Sequence, residues 1–271
     1  MRGNGGLGLS VTLLTVIPWP RGGDDTAAVP SRAAVSAAMA WAPGVGLLLG
    51  VIASAVLLVA DHPLGAGPLT AAALAVGSLA VLSRGLHLDG LADLADGLAS
   101  GKPAAAALDI MRRSDIGPLG TVTLVLTLLI QVTALSQAES AGHGRGPAAL
   151  IAAVVTGRLA VTWACRRGVP AARPDGLGAL VAGSVRPAVP AAATAAVLAA
   201  AAAAVAISAA VAGRPLGWTL PLAVAAGLGL AFAVQRHAVR RLGGVTGDVL
   251  GALAEIATTA TLVVAAMGPA A

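Results

Sequence analysis

The sequence predicts an all-α fold, a polytopic integral membrane bundle of about seven transmembrane helices with its N-terminus in the cytoplasm. Three observations predict it. Hydrophobic residues make up 57% of the 271-residue chain and charged residues 11%, against roughly a quarter charged in a soluble domain. Apolar runs of about 20 residues, the length that crosses a bilayer, recur along the chain. Between those runs the loops alternate between rich and poor in Lys and Arg.

The runs cover roughly 35–60, 67–83, 118–138, 147–165, 188–212, 217–235 and 249–268. The second is short unless it extends into HLDGLADLADG, residues 87–97. The segment before the first run holds Arg2, Arg21 and Arg32, and the loop near 61–66 holds no Lys or Arg. Arg84, Lys102, Arg112 and Arg113 follow the second run, and Arg145 follows the third. Arg166, Arg167, Arg173 and Arg186 follow the fourth, Arg214 the fifth, and Arg236, Arg240 and Arg241 the sixth. The tail has none, so the counts run 3, 0, 4, 1, 4, 1, 3, 0. That alternation supports seven spans and a cytoplasmic N-terminus. Arg158 alone falls inside a run.

Acidic residues follow the same partition. Asp89, Asp93, Asp96, Asp109, Asp115, Asp175 and Asp248 fall on the arginine-rich side, and Glu255 lies about two turns into the last run. Asp61 and Glu139 fall on the opposite side, and Asp24 and Asp25 in the N-terminal segment. Polar chemistry is thus concentrated at one face of a single membrane-embedded domain, residues 1–271.

Composition also excludes function classes. The net charge is +5 but aromatics are 2% of the chain, too few to stack bases, so no nucleic-acid partner is expected. The single Cys165 allows neither an intrachain disulfide nor a cysteine zinc site, and reads as a small apolar filler in a helix. The apolar segment 7–17 is short and is followed by Pro18 and Pro20 rather than a small-residue cleavage site, so no cleavable signal peptide is expected. Ala-rich runs such as AAATAAVLAAAAAAVAISAAVAG read as scaffold in which small side chains let helices approach closely.

Against this background HLDGLADLADG stands out. On a helix Asp89, Asp93 and Asp96 fall within an arc of about 60°. Carboxylates on one stripe repel, the more so near lipid, and a hard divalent cation along the stripe would offset the repulsion. Gly90 and Gly97 bracket the stripe and leave room for a ligand or a helix break. The competing reading is a solvated loop kept out of the membrane by its charges. His87 lies opposite the stripe and suits either a substrate contact or a polar cap.

A second constellation is GGVTGDVLGALAE, residues 243–255. Gly244 and Gly247 precede a spanning helix, where backbone amides can meet phosphate oxygens. Asp248 and Glu255 share a helix face, and an ionisable residue inside a span suggests function by default. The plainer account has Asp248 capping the helix and Glu255 pairing with Arg158. In IMRRSDIGPLG, residues 110–120, Arg112 and Arg113 suit a phosphate or a positive-inside anchor. RRGVPAARPDGLG, residues 166–178, is a Pro/Gly-rich loop whose arginines could lie over an anion or serve topology alone.

With these residues in place, the chain resembles the cobalamin synthase family, the adenosylcobinamide-GDP ribazoletransferases, nearly end to end. The resemblance rests on LLTVIPWP, WAPGVGLLLG, HLDGLADLADG, IMRRSDIGPLG, TGRLAVTWACRRG with DGLG, and GGVTGDVLGALAE. Relatives often read Asp-Ser-Arg where this chain has Arg113, Ser114 and Asp115, so those two charges are exchanged here. The resemblance implies a Mg²⁺-dependent membrane enzyme of the last steps of cobalamin biosynthesis. It would join adenosylcobinamide-GDP to α-ribazole or its 5′-phosphate, releasing GMP. On that reading Asp89, Asp93 and Asp96 hold Mg²⁺ on the diphosphate, and one of them or His87 takes the proton of the attacking hydroxyl. Asp248 and Glu255 complete the metal site, and Arg112, Arg158 or Arg166 neutralise the phosphates. The lipid bilayer is the expected environment, with homo-oligomers or association with other cobalamin-assembly enzymes left open.

Two rivals remain. CDP-alcohol phosphotransferases resemble the chain at Asp93, Asp96 and Gly97, but Ser100 and Gly101 stand where Ala and Arg are expected, and Asp109 and Asp115 have the wrong separation. A small-solute transporter would suit seven spans and Glu255, but transporters usually place polar groups at the midplane and show internal repeats.

Overall fold

The computed structural model describes residues 6–20, 30–142, 144–212 and 219–267. Arg2, Arg21, Asp24, Asp25 and Arg214, which entered the charge count, lie outside them. The described residues fold into helices without a strand. Six helices are long and apolar enough to cross a membrane: α2 (Arg32–Asp61), α6 (Pro118–Ser140), α7 (Arg145–Ala164), α9 (Ala188–Ala212), α10 (Thr219–Leu242) and α11 (Gly247–Ala266). A seventh candidate is a bent pair, which makes a crossing only if its two helices are taken together. Helices α3 (Pro68–Leu82) and α4 (Leu86–Ala99) meet at a bend of 88°, so the second apolar run ends at Leu82 and the aspartate-rich stretch forms a helix of its own. Three short helices complete the chain: α1 (Gly6–Leu14), α5 (Ala104–Ile110) and α8 (Gly176–Val181). The polytopic all-α bundle read from the sequence is the observed architecture.

Local chemistry sets the helix starts. Ser31 caps α2 by accepting the Ala34 amide at 3.2 Å, and Thr246 caps α11 by accepting that of Val249 at 3.2 Å. Pro68 and Pro118 open α3 and α6, where a missing N–H costs nothing. Helix α10 runs to Leu242, two turns past the end of its apolar run, because QRHAVRRL continues the helix as an amphipathic end in which Gln235, Ala238 and Leu242 are buried.

Helices α7 and α11 form the centre, and α2, α4, α6 and α10 pack around them. Small residues make the close contacts: a Cβ at Gly46 or Gly50 of α2 would lie within 3.0 Å of the α7 backbone. Helix α9 faces outward over nearly its whole length, as its uniformly Ala-rich sequence allows. An apolar cleft of about 530 Å³ between α2, α7, α9 and α10 carries no ionisable side chain.

The basic loops meet at one end of the bundle. Arg32 donates to the Gly183 carbonyl at 3.1 Å, Arg241 to that of Lys102 at 3.3 Å, and Arg112 pairs with Asp175 at 2.8 Å. At the other end His62 lies 3.7 Å from Glu139. The loops rich in arginine therefore share a face, as their alternation along the chain requires.

Candidate active site

The site forms where α4 crosses the start of α11. Between α3 and α4 the chain turns sharply through Arg84 and Gly85, whose φ angles are 57° and 67°. Arg84 is held in this unfavourable region by its guanidinium, which donates to the Thr15 carbonyl at 3.1 Å. The turn lays α4 across α11 backbone to backbone. A Cβ at Gly90 would stand 2.7 Å from the Asp248 oxygen, and one at Gly251 would stand 3.0 Å from the His87 Cα. The glycines of the stripe therefore leave no open room: Gly90 admits the α11 backbone, and a Cβ at Gly97 would meet Met111 at 2.6 Å.

This crossing sets Asp248 beside the stripe. Asp89, Asp93 and Asp248 repel one another pairwise, and Asp93 also feels Asp96. The opposing charge is Arg173, whose guanidinium lies 3.8 Å from Asp248 and is anchored on the Leu108 carbonyl. Asp89 is exposed and Asp93 half-buried, and among the described residues neither carboxylate accepts a hydrogen bond. Asp89, Asp248, His87 and Gly247 line a cavity of about 230 Å³, closed on one side by Leu13 and Leu14 of α1. Helix α1, read only as a short apolar segment, is thus a wall of the site.

Asp96 is used differently. Its two oxygens accept the Gly117 and Gly120 amides at 2.7 and 2.9 Å, so it caps the start of α6 from a neighbouring helix. It shares the stripe with Asp89 and Asp93 but faces those amides.

Glu255 stands apart as well. Seven residues beyond Asp248, its backbone lies about 10 Å deeper along α11, and its carboxylate is engaged there rather than with the aspartates. It accepts from Gln131 at 2.9 Å and belongs to a buried polar layer with Arg158 and His87. Arg158 Nη2 lies 3.3 Å from His87 Nδ1. Because a guanidinium can only donate, Nδ1 is the acceptor and the neutral ring carries its proton on Nε2. His87 so held is a donor, which argues against it as the base. Gln131 had no sequence signal beyond being a polar residue in an apolar run.

The arginines and glycines are dispersed. Arg112 is exposed and donates to both oxygens of Asp175 at 2.8 and 3.1 Å. Arg113 and Asp115 are exposed. Arg158 is buried below the carboxylates, and Arg166 lies against Trp163 and Phe232, away from them. Burial lowers the Arg166 pKa from its ordinary value. Gly244 lets the 243–247 loop pair with 170–172: Val245 donates to the Pro170 carbonyl at 2.9 Å and Ala172 to that of Val245 at 3.0 Å. Arg173, which pairs with Asp248, is in the sequence only one of several loop arginines. Cys165 is buried at the end of α7, its thiol pushed up to about 12, and is the inert filler expected.

Among the described residues, the one His/Asp/Glu trio whose ligand atoms all lie within 4.8 Å is Asp61, His62 and Glu139, at the opposite end. Asp89, Asp93 and Asp248 stand wider apart. Their hard oxygen donors are of the kind that Mg²⁺ takes, and an ion held there would need further ligands from water or substrate phosphates.

Comparison with known proteins places the arrangement. Residues 6–266 match the family model described as cobalamin-5-phosphate synthase. An adenosylcobinamide-GDP ribazoletransferase of Frankia casuarinae is 46% identical, over 94% of this chain and 92% of its own. Proteins of the same name from Nocardioides sp. and Chlorobaculum tepidum are 36% and 34% identical, each over more than nine-tenths of both chains. No solved structure matches.

Proposed function

The chain belongs to the cobalamin-5-phosphate synthase family, and from that premise we propose that it is an adenosylcobinamide-GDP ribazoletransferase working at the α4–α11 crossing. A hydroxyl of α-ribazole, or of its 5′-phosphate, attacks the cobinamide-linked phosphorus. The new O–P bond forms as the bond to GMP breaks, and the hydroxyl proton passes to a carboxylate. The observation that carries this reading is the backbone contact of α4 with α11 at Gly90, which sets Asp89 and Asp248 on one cavity with Asp93 beside them.

Asp93 and Asp248 would hold Mg²⁺, which supplies neutralisation of the diphosphate charge when bound. Asp89, exposed and lining the cavity, takes the proton. Arg173 keeps Asp248 oriented and lies close enough to meet a phosphate oxygen. The Arg158–His87 pair fixes the floor, leaving the Nε2–H of His87 to donate towards substrate. Asp96 holds α6 against α4 and so sets the stripe in place. By the positive-inside rule the arginine-rich end, and the site with it, faces the cytoplasm. Labelling of a Ser114→Cys variant in vesicles of known sidedness reads this directly, and labelling from outside would reverse the orientation.

The test is purified protein in detergent with adenosylcobinamide-GDP, α-ribazole and a Mg²⁺ series, followed by GMP and cobalamin release. Asp93→Asn should raise the Mg²⁺ concentration required. Asp89→Asn should leave that requirement unchanged and lower turnover roughly 10²–10⁴-fold, as loss of a general base does. Wild-type turnover by Asp93→Asn at limiting Mg²⁺ would remove that residue from the metal site.

A further inference from the structure

A second polar site lies on the lipid-facing flank, between α7 and α10. Arg166, Arg236 and Arg240 line a cleft of about 220 Å³ with Phe232, Gln235 and the backbone of 168–170. Phe232 and Gln235 also line an adjoining cavity of about 290 Å³, walled by Trp163, Leu228 and Leu253 and otherwise almost wholly apolar. Neither shares a lining residue with the carboxylate cavity.

The basic end is built as well as charged. The Arg166 guanidinium sits 5.7 Å from the Trp163 ring centre and 5.2 Å from that of Phe232. It donates to the Trp163 carbonyl at 2.9 Å and to Gln235 Oε1 at 3.1 Å. That second bond assigns the Gln235 amide, because a guanidinium needs an acceptor. Gln235 is only 4% exposed, and its Nε2 is left without a hydrogen-bond partner. A buried, unpaired amide donor beside three arginines calls for an acceptor. No carboxylate among the described residues pairs with Arg166, Arg236 or Arg240. Topology alone would account for exposed Arg236 and Arg240; it does not account for a buried donor at the junction of a basic cleft and an apolar cavity.

We propose that this flank binds one anionic phospholipid. Its headgroup phosphate lies among Arg166, Arg236 and Arg240 and accepts from Gln235 Nε2, and an acyl chain enters the cavity behind Phe232. Charge complementarity and the continuity of the two spaces select this amphiphile.

The experiment uses the full-length protein in detergent with equimolar dioleoyl phosphatidylglycerol and dioleoyl phosphatidylcholine, with retained lipid counted by native mass spectrometry. Wild type should retain one phosphatidylglycerol in preference. Arg236→Ala with Arg240→Ala should weaken that retention roughly 30-fold, as loss of two interfacial charges does. Gly229→Leu, at a cavity-lining position where a Cβ meets nothing within 4 Å, should weaken it with all arginines intact. Equal retention of both lipids would overturn the proposal. So would an equal loss in Arg112→Ala with Arg113→Ala, which marks diffuse attraction to the charged end. Displacement of the lipid by millimolar inorganic phosphate would reassign the cleft to a free phosphate and overturn the lipid assignment.

Discussion

Gly90→Ala isolates the contact on which the site depends. The added Cβ would stand 2.7 Å from the Asp248 oxygen and 2.8 Å from its Cα. Contacts relax to about 3.4 Å at ordinary van der Waals distance, so α4 and α11 must part by roughly 0.7 Å. Neither partner can yield by rotating a side chain, because both are backbone. Overpacking of this kind costs about 1–3 kcal/mol. Replacing a helical glycine by alanine returns about 1 kcal/mol, so the net loss of stability is roughly 0–2 kcal/mol and the protein should fold. Turnover should suffer more, because the shift separates Asp89 and Asp93 from Asp248. A displacement near 1 Å in a positioned site costs on the order of 10²-fold, and we expect a fall of roughly 10–100-fold in GMP release. Gly77→Ala, where a Cβ meets nothing within 4 Å, is the matched control. The assay is initial-rate GMP release at saturating Mg²⁺, with thermal unfolding in the same detergent. If Gly90→Ala turned over at the wild-type rate with an unchanged melting temperature, the backbone contact would not be setting the carboxylate spacing.

Other outcomes follow from the same geometry. Asp96→Ala removes the acceptor of two α6 amides and should destabilise by about 1–3 kcal/mol, seen as a lower melting temperature with the Mg²⁺ dependence unchanged. Arg173→Ala should lower turnover at least tenfold more than Arg112→Ala, which breaks only an exposed ion pair worth about 0–1 kcal/mol; steady-state kinetics on the two variants decide this. Glu255→Gln should lower stability by roughly 1–3 kcal/mol through the buried layer with Gln131, without moving the Mg²⁺ concentration needed for half-maximal rate; a tenfold shift in that concentration would return Glu255 to the metal site.

Periodicity and hydropathy carried the fold well. Each of the seven runs corresponds to a helix, because lipid forces every backbone amide to be satisfied within its own segment. That makes a span a local property of composition. The extra length of α10 and the short helices α1, α5 and α8 were less visible, since their amphipathic or brief apolar faces acquire meaning only against neighbours. The carboxylate stripe was legible because helical spacing is also local. Arg173 was not, because a loop arginine shows its partner only once the loop has folded over the site.

The sequence alone thus determined the membrane bundle, the face on which charge gathers, the shared stripe of Asp89, Asp93 and Asp96, and the family. Tertiary structure decided how that stripe is divided. Through Gly90 the α11 backbone comes close enough to set Asp248 beside Asp89 and Asp93, while the amides of α6 claim Asp96 and the depth of α11 takes Glu255 into a separate buried layer. The reason is physical: residues on one helix share a face by geometry, but a carboxylate's role depends on whether a donor, a like charge or open space meets it, and those come from other parts of the chain.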